Sequence, residues 1–188
     1  MEAVEQELED ASRRARKLVD STEARLFTVR PNPRSWSAAE CLSHLSISSE
    51  QFLPVLRKAI EDARAKGLRS GSMPKMDLMG RVLRWFLEPP IHSRVKTSAP
   101  FVPRSVRAKS EALAEFTSFQ QQLRALFNET RELDPAKMRV VSPFDKRIKY
   151  NVYSAFRIIT AHQRRHLWQA EQAIAELRRG ARAVASTS

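Results

Sequence analysis

The stretch "AFRIITAHQRRHLWQAEQAIAEL", residues 155–177, decides the fold. Ala155/Phe156, Ile159, His162, His166, Ala170, Ala173 and Leu177 recur in steps of three or four, which is the period of one helical face. The spacing predicts a helix over 152–179 whose buried stripe carries two histidines one turn apart. At i and i+4 their rings project side by side and can converge on one ion. Two readings of the pair stand side by side: hydrogen-bonded core histidines, or half of a metal site. The pair is not a zincin motif, because the position beside the first histidine is Gln163, which cannot act as the general base of HExxH.

Three further helices follow from the same reading of the preceding chain. Val4, Leu8, Ala11, Ala15, Leu18 and Thr22 share a face and predict a helix over 3–27, ended by "RPNPRSWS" (30–37), whose two prolines cannot continue it. "SAAE" (37–40) is a capping box, in which serine and the glutamate three residues later satisfy each other's orphan backbone donors. It opens a helix through Cys41, Leu45, Ser48, Phe52, Val55 and Ala59 to Lys66, with a kink expected at Pro54. Leu113, Phe116, Phe119/Gln120, Leu123 and Leu126/Phe127 predict a helix over 110–132.

Two long connections remain. "MDLMGRVLRWFLEPP" (76–90) holds a short apolar helix over 76–87, and "PPIHSRVKTSAPFVPRS" (89–105) reads as extended chain. "LDPAKMRVVSPFDKRIKYN" (133–151) reads as the second connection. The fold expected is therefore all-α: a four-helix bundle with two long connections and a short extra helix in the link between the second and third long helices. Residues 1–180 form one domain and 181–188 a disordered tail. The 67–108 link is long enough to return the chain along the bundle, so the second and third long helices need not be antiparallel.

Composition bounds the class of function. The chain has 188 residues and a net charge of +12, of which 66–109 supply +8 and 135–169 supply +7. Such a field attracts nucleic acid, anionic lipid and acidic metabolites without choosing among them. One cysteine, Cys41, excludes an internal disulfide, and the amino-terminal residues lack the apolar stretch of a secretory signal. A cytoplasmic protein with no membrane span is expected, since no apolar run reaches the ~18–20 residues a bilayer requires.

A third ligand is available on the second long helix. His44 lies at the edge of its inward stripe, and facing helices of a bundle can bring His44, His162 and His166 to one point. Three histidines with an open position are the arrangement of a catalytic rather than a closed structural site. Cys41, three residues before His44, is either a fourth donor or a small core residue. Ser48, one turn on, either contacts a bound water or packs. His92 lies in the basic link and is expected to be exposed.

At this point the chain resembles the DinB-like (DinB/YfiT-type) proteins. The likeness rests on "SWSAAECLSHLSISSEQFLPVL" (35–56), with Trp-Ser, a capped helix and His-Leu, and on "AHQRRHLWQAEQAI" (161–174), with its late HxxxH. The resemblance implies a bundle, often a homodimer, that holds a divalent metal on three histidines. By position these are His44, His162 and His166. Zinc and nickel lead as candidates. The family includes transferases and isomerases that use a low-molecular-weight thiol, bacillithiol or mycothiol, and the expectation is a metal-dependent transferase or hydrolase acting on a small molecule. The competing expectation is a non-catalytic bundle binding nucleic acid or another anionic partner through its basic segments, with Trp85, Phe86 and Phe101 stacking on bases.

Overall fold

The computed structural model describes residues 1–69, 73–89 and 97–185. Its elements are α1 (Glu2–Asp20), α2 (Ala24–Phe27), α3 (Ala38–Ala65), α4 (Leu78–Leu87), a 3₁₀ turn (Ala99–Phe101), α5 (Lys109–Glu129), β1 (Arg139–Val141), β2 (Lys149–Asn151) and α6 (Val152–Ala185). The fold is an all-α bundle of α1, α3, α5 and α6. α3 packs on both α5 and α6, and α1 packs on the same two, which sets α1 across the bundle from α3.

The core has two parts, stacked along the bundle axis. One is built around Leu8, Phe52, Leu56, Leu123, Phe127 and Phe156. The other is built around Ala15, Phe27, Leu42, Phe116, Leu167 and Ala170. α3 and α5 both enter at the second part and leave at the first, so they are parallel, while α1 and α6 run the other way. The long link between α3 and α5 therefore carries the chain back along the bundle, as its length allowed.

α3 begins where the capping box places it: Ser37 Oγ accepts from the Glu40 amide, and Glu40 accepts from the Ser37 amide. Arg30 closes on the same carboxylate. Pro54 lies inside α3 on its exposed face, one turn from exposed Glu50, so the amide that proline lacks is missing on the solvent side, and the helix runs unbroken through it.

Three boundaries differ from the sequence reading. The helix expected over 3–27 is two helices. Ser21 closes α1 by bonding back to the Lys17 carbonyl, and extended Glu23 opens α2, which turns Phe27 into the core. The break is stabilised by Lys109, whose ammonium donates to the Val19 and Thr22 carbonyls, 2.9 Å each, at the negative end of α1. The connection 133–151 is not continuous coil. β1 and β2 pair antiparallel with Val140 opposite Tyr150, both side chains buried against the bundle. α6 runs past 179 to Ala185 and takes the first five residues of the 181–188 tail into helix, while 186–188 lie outside the described residues.

α4 forms as expected and seats on the outer side of α6. Asp77 organises that contact. Its carboxylate caps α4 at the Gly80 amide (2.9 Å), accepts from Ser154 Oγ (3.0 Å) and the Asn151 amide (2.8 Å), and pairs with Arg139 of β1 (2.8 Å). Asn151 in turn caps α6, its Oδ1 accepting from the Ser154 amide at 2.7 Å. One carboxylate thus joins α4, the hairpin and the start of the histidine-bearing helix.

Candidate metal centre

His44 comes from α3, and His162 and His166 from α6, at the level where the two parts of the core meet. All three are buried, at 2%, 8% and 7% exposure. Each offers one ring nitrogen such that the three nitrogens lie within 4.8 Å of one another. Among the described residues the group contains these three side chains and no others. The ring centroids are 4.3 Å (His44–His166), 4.5 Å (His162–His166) and 5.0 Å (His44–His162) apart.

Backbone geometry fixes the tautomer of His44. Its Nδ1–H donates to the Phe101 carbonyl at 2.7 Å, which leaves the Nε2 lone pair directed at His162 Nε2, 3.1 Å away. A tetrahedral ion bound at about 2.0–2.1 Å sets its ligand nitrogens about 3.3 Å apart, so this separation fits a shared ion. A carbonyl on the far ring nitrogen, as Phe101 supplies here, is the kind of outer partner that orients histidines in metal sites. Among the described residues His166 Nδ1 is buried without a hydrogen-bond partner. Burial lowers the pKa of all three rings, and at His162 and His166 the neighbouring histidines and the Arg165 guanidinium lower it further. Each shift favours the neutral ring, the form in which imidazole binds a metal.

The residues between the two histidines tie α6 to its neighbours. Gln163 Nε2 donates to Gln120 Oε1 of α5 at 2.7 Å, and Gln120 donates to the Leu8 carbonyl of α1 at 3.0 Å. Arg164 pairs with Glu88 at the end of α4, and Arg165 Nη1 donates to the Phe86 carbonyl at 2.9 Å. "HQRRH" therefore carries two rings into the centre, one amide across the core and two guanidinium groups onto α4.

Aromatic side chains wall the histidines. Trp36 lies 5.0 Å from the His44 ring and stacks at 5.8 Å on His166. Phe144, from the turn joining β1 and β2, lies 5.7 Å from His162 and packs on Phe101 and Phe52. Phe144 is 38% exposed, which puts it at the border between the histidines and solvent. Sequence reasoning missed Phe144 and the Phe101 carbonyl. The first depended on an unrecognised hairpin, and the second is a backbone atom that no side-chain pattern encodes.

The other candidates fall out as follows. Cys41 is fully buried in the core beside Leu42, outside the histidine group, and burial pushes its thiol far up in pKa. Ser48 is buried on the α3 face that carries His44 and Phe52, and among the described residues its Oγ has no hydrogen-bond partner. Phe101 is buried, not a surface for stacking, whereas Trp85 and Phe86 are exposed. His92 lies outside the described residues.

Residues 7–170 match the family model of the DinB superfamily, which spans α1 through most of α6 and includes all three histidines. The chain belongs to the DinB superfamily. No curated protein and no solved structure matches it significantly. Within this DinB-superfamily chain, no helix among the described residues is long and apolar enough to cross a membrane.

Proposed function

We propose that this DinB-superfamily protein binds one divalent metal ion, zinc or nickel, on His44, His162 and His166, and is a metal-dependent transferase or hydrolase acting on a small molecule. The observation that carries the reading is the convergence of three buried imidazoles with His44 held in one tautomer by the Phe101 carbonyl. His44, His162 and His166 would hold such an ion, which would supply a Lewis acid able to lower the pKa of a water or thiol. A low-molecular-weight thiol such as bacillithiol or mycothiol is the co-substrate that family membership suggests.

The chain's own residues supply position and exclusion. Trp36, Phe101 and Phe144 keep bulk water from the histidines and offer apolar contact to whatever enters past Phe144. Gln163 takes no part in proton transfer, because its amide is committed to Gln120 in the core. The test is titration of the cobalt-loaded protein with bacillithiol and with mycothiol. A thiolate charge-transfer absorption with one of them supports the thiol-dependent reading, and its absence with both removes that reading.

A further inference from the structure

α4 is apolar on both sides, and among the described residues one side packs on the bundle while the other is exposed. Gly80, Leu83 and Leu87 face the bundle, where Leu83 and Leu87 pack on the core and Gly80 lies so close to Ser154 that a Cβ would stand 2.2 Å from its Oγ. The opposite face carries Leu78, Met79, Val82, Trp85 and Phe86, at i, i+1, i+4, i+7 and i+8, and all five are exposed. Leu78 is 75% and Trp85 57% exposed, and Met73, just before the helix, is 81% exposed. Six of the ten large exposed hydrophobics among the described residues thus belong to 73–86. Contiguous exposed apolar surface of this kind marks an interaction site.

The charge around this face narrows the partner. Lys75 and Arg81 are exposed beside it. The neighbouring acids are each engaged by arginine: Asp77 by Arg139, Glu88 by Arg84 and Arg164, Glu7 by Arg84, Arg157 and Arg164, and Asp10 by Arg13. The rim is therefore net positive, within a segment of charge +8. Two copies packed face to face would oppose like-charged rims. Nucleic acid would satisfy the cations and the two aromatic rings and leave Leu78, Met79 and Val82 against polar phosphate and sugar. An anionic bilayer surface matches both features: its acyl boundary takes the aliphatic side chains, its headgroups take Lys75 and Arg81, and the indole suits the level between them.

We propose that α4 is a docking helix by which the protein sits on an anionic lipid surface, lying in the interface plane with Leu78, Met79, Val82, Trp85 and Phe86 inserted. The helix is rigidly mounted for this, by Asp77 at its start and by Arg164 and Arg165 of α6 at its end.

The test is co-sedimentation of the full chain with vesicles of phosphatidylglycerol and phosphatidylcholine, against vesicles of phosphatidylcholine alone. The protein is expected to bind the anionic vesicles, to lose that binding as salt is raised, and to ignore the neutral ones. The pair Leu78→Glu and Val82→Glu is expected to weaken binding by about ten-fold or more, since each buried methylene contributes. Lys75→Ser with Arg81→Ser retains the apolar face and is expected to lose the preference for anionic lipid, so the proposal stays testable if the first pair misfolds. Three results would each overturn it: no binding to anionic vesicles, binding indifferent to both pairs, or a concentration-dependent dimer or a duplex-DNA complex that Leu78→Glu and Val82→Glu abolish in place of vesicle binding.

Discussion

His44 Nε2 stands 3.1 Å from His162 Nε2, joining two helices whose contributing residues are 118 positions apart. The contact exists because α3 and α6 run antiparallel through the middle of the bundle and because the Phe101 carbonyl holds the far side of the His44 ring.

Stability of the metal-free protein should fall as pH drops below about 6.5. All three rings have folded pKa values below the ordinary histidine value, from burial first and then from one another and Arg165. Between the folded and unfolded values the unfolded chain binds more protons, so stability rises with pH there and levels off above the unfolded value. The slope is about 1.4 kcal/mol per pH unit for each proton of difference. Urea unfolding at pH 5.0, 6.0 and 7.5 checks this, and the dependence below 6.5 should be shallower in His162→Ala.

Gln163→Glu, which restores the letter pattern of HExxH, should destabilise the protein and create no metalloprotease. The new carboxylate cannot donate to Gln120 Oε1, and turning the Gln120 amide to meet it forfeits the bond to the Leu8 carbonyl. A loss of at least about 2 kcal/mol at pH 7 is expected, readable as a lowered Tm.

Glu40→Ala should cost about 2 kcal/mol, through loss of the α3 cap and of the carboxylate that Arg30 engages. Burial alone would raise this carboxyl's pKa, but hydrogen bonds from Arg30 and Ser37 outweigh it and hold the group below its ordinary value. Its contribution is present above the unfolded carboxylate pKa and is lost as pH falls through the folded one. The difference in Tm between wild type and Glu40→Ala should accordingly narrow in acid.

Gly80→Ala tests the seating of α4 on α6. The added methyl would stand 2.2 Å from Ser154 Oγ, a hydroxyl already held by Asp77. α4 must shift, at about 1–3 kcal/mol. Circular dichroism should show a lower Tm with helical content retained.

Much of this was legible from period and caps. Val4, Leu8, Ala11, Ala15 and Leu18 are buried as their spacing requires, the Ser37–Glu40 box opens α3, and the stripe through His162 and His166 faces inward. The three histidines meet because helical periodicity fixes their faces and bundle packing brings the faces together. What stayed hidden depended on distant partners or very short elements. The α1–α2 break is held by Lys109, some 90 residues away. β1 and β2 have three residues each, with one cross-strand pair, Val140 and Tyr150, buried on the bundle side, too little for an alternating pattern to stand out. Asp77 falls inside the span 76–87 read as helix, and both its cap on α4 and its bonds to Arg139, Asn151 and Ser154 emerge only once the hairpin is folded.

The most direct test of the central claim is the metal stoichiometry of the purified protein, measured by elemental analysis alongside His44→Ala, His162→Ala and His166→Ala. The account predicts one divalent ion per wild-type chain, a Tm that falls on chelation and recovers when the ion is returned, and loss of the ion in each variant. A wild-type chain that holds no stoichiometric ion after incubation with zinc or nickel, or an ion retained undiminished in all three variants, would contradict it.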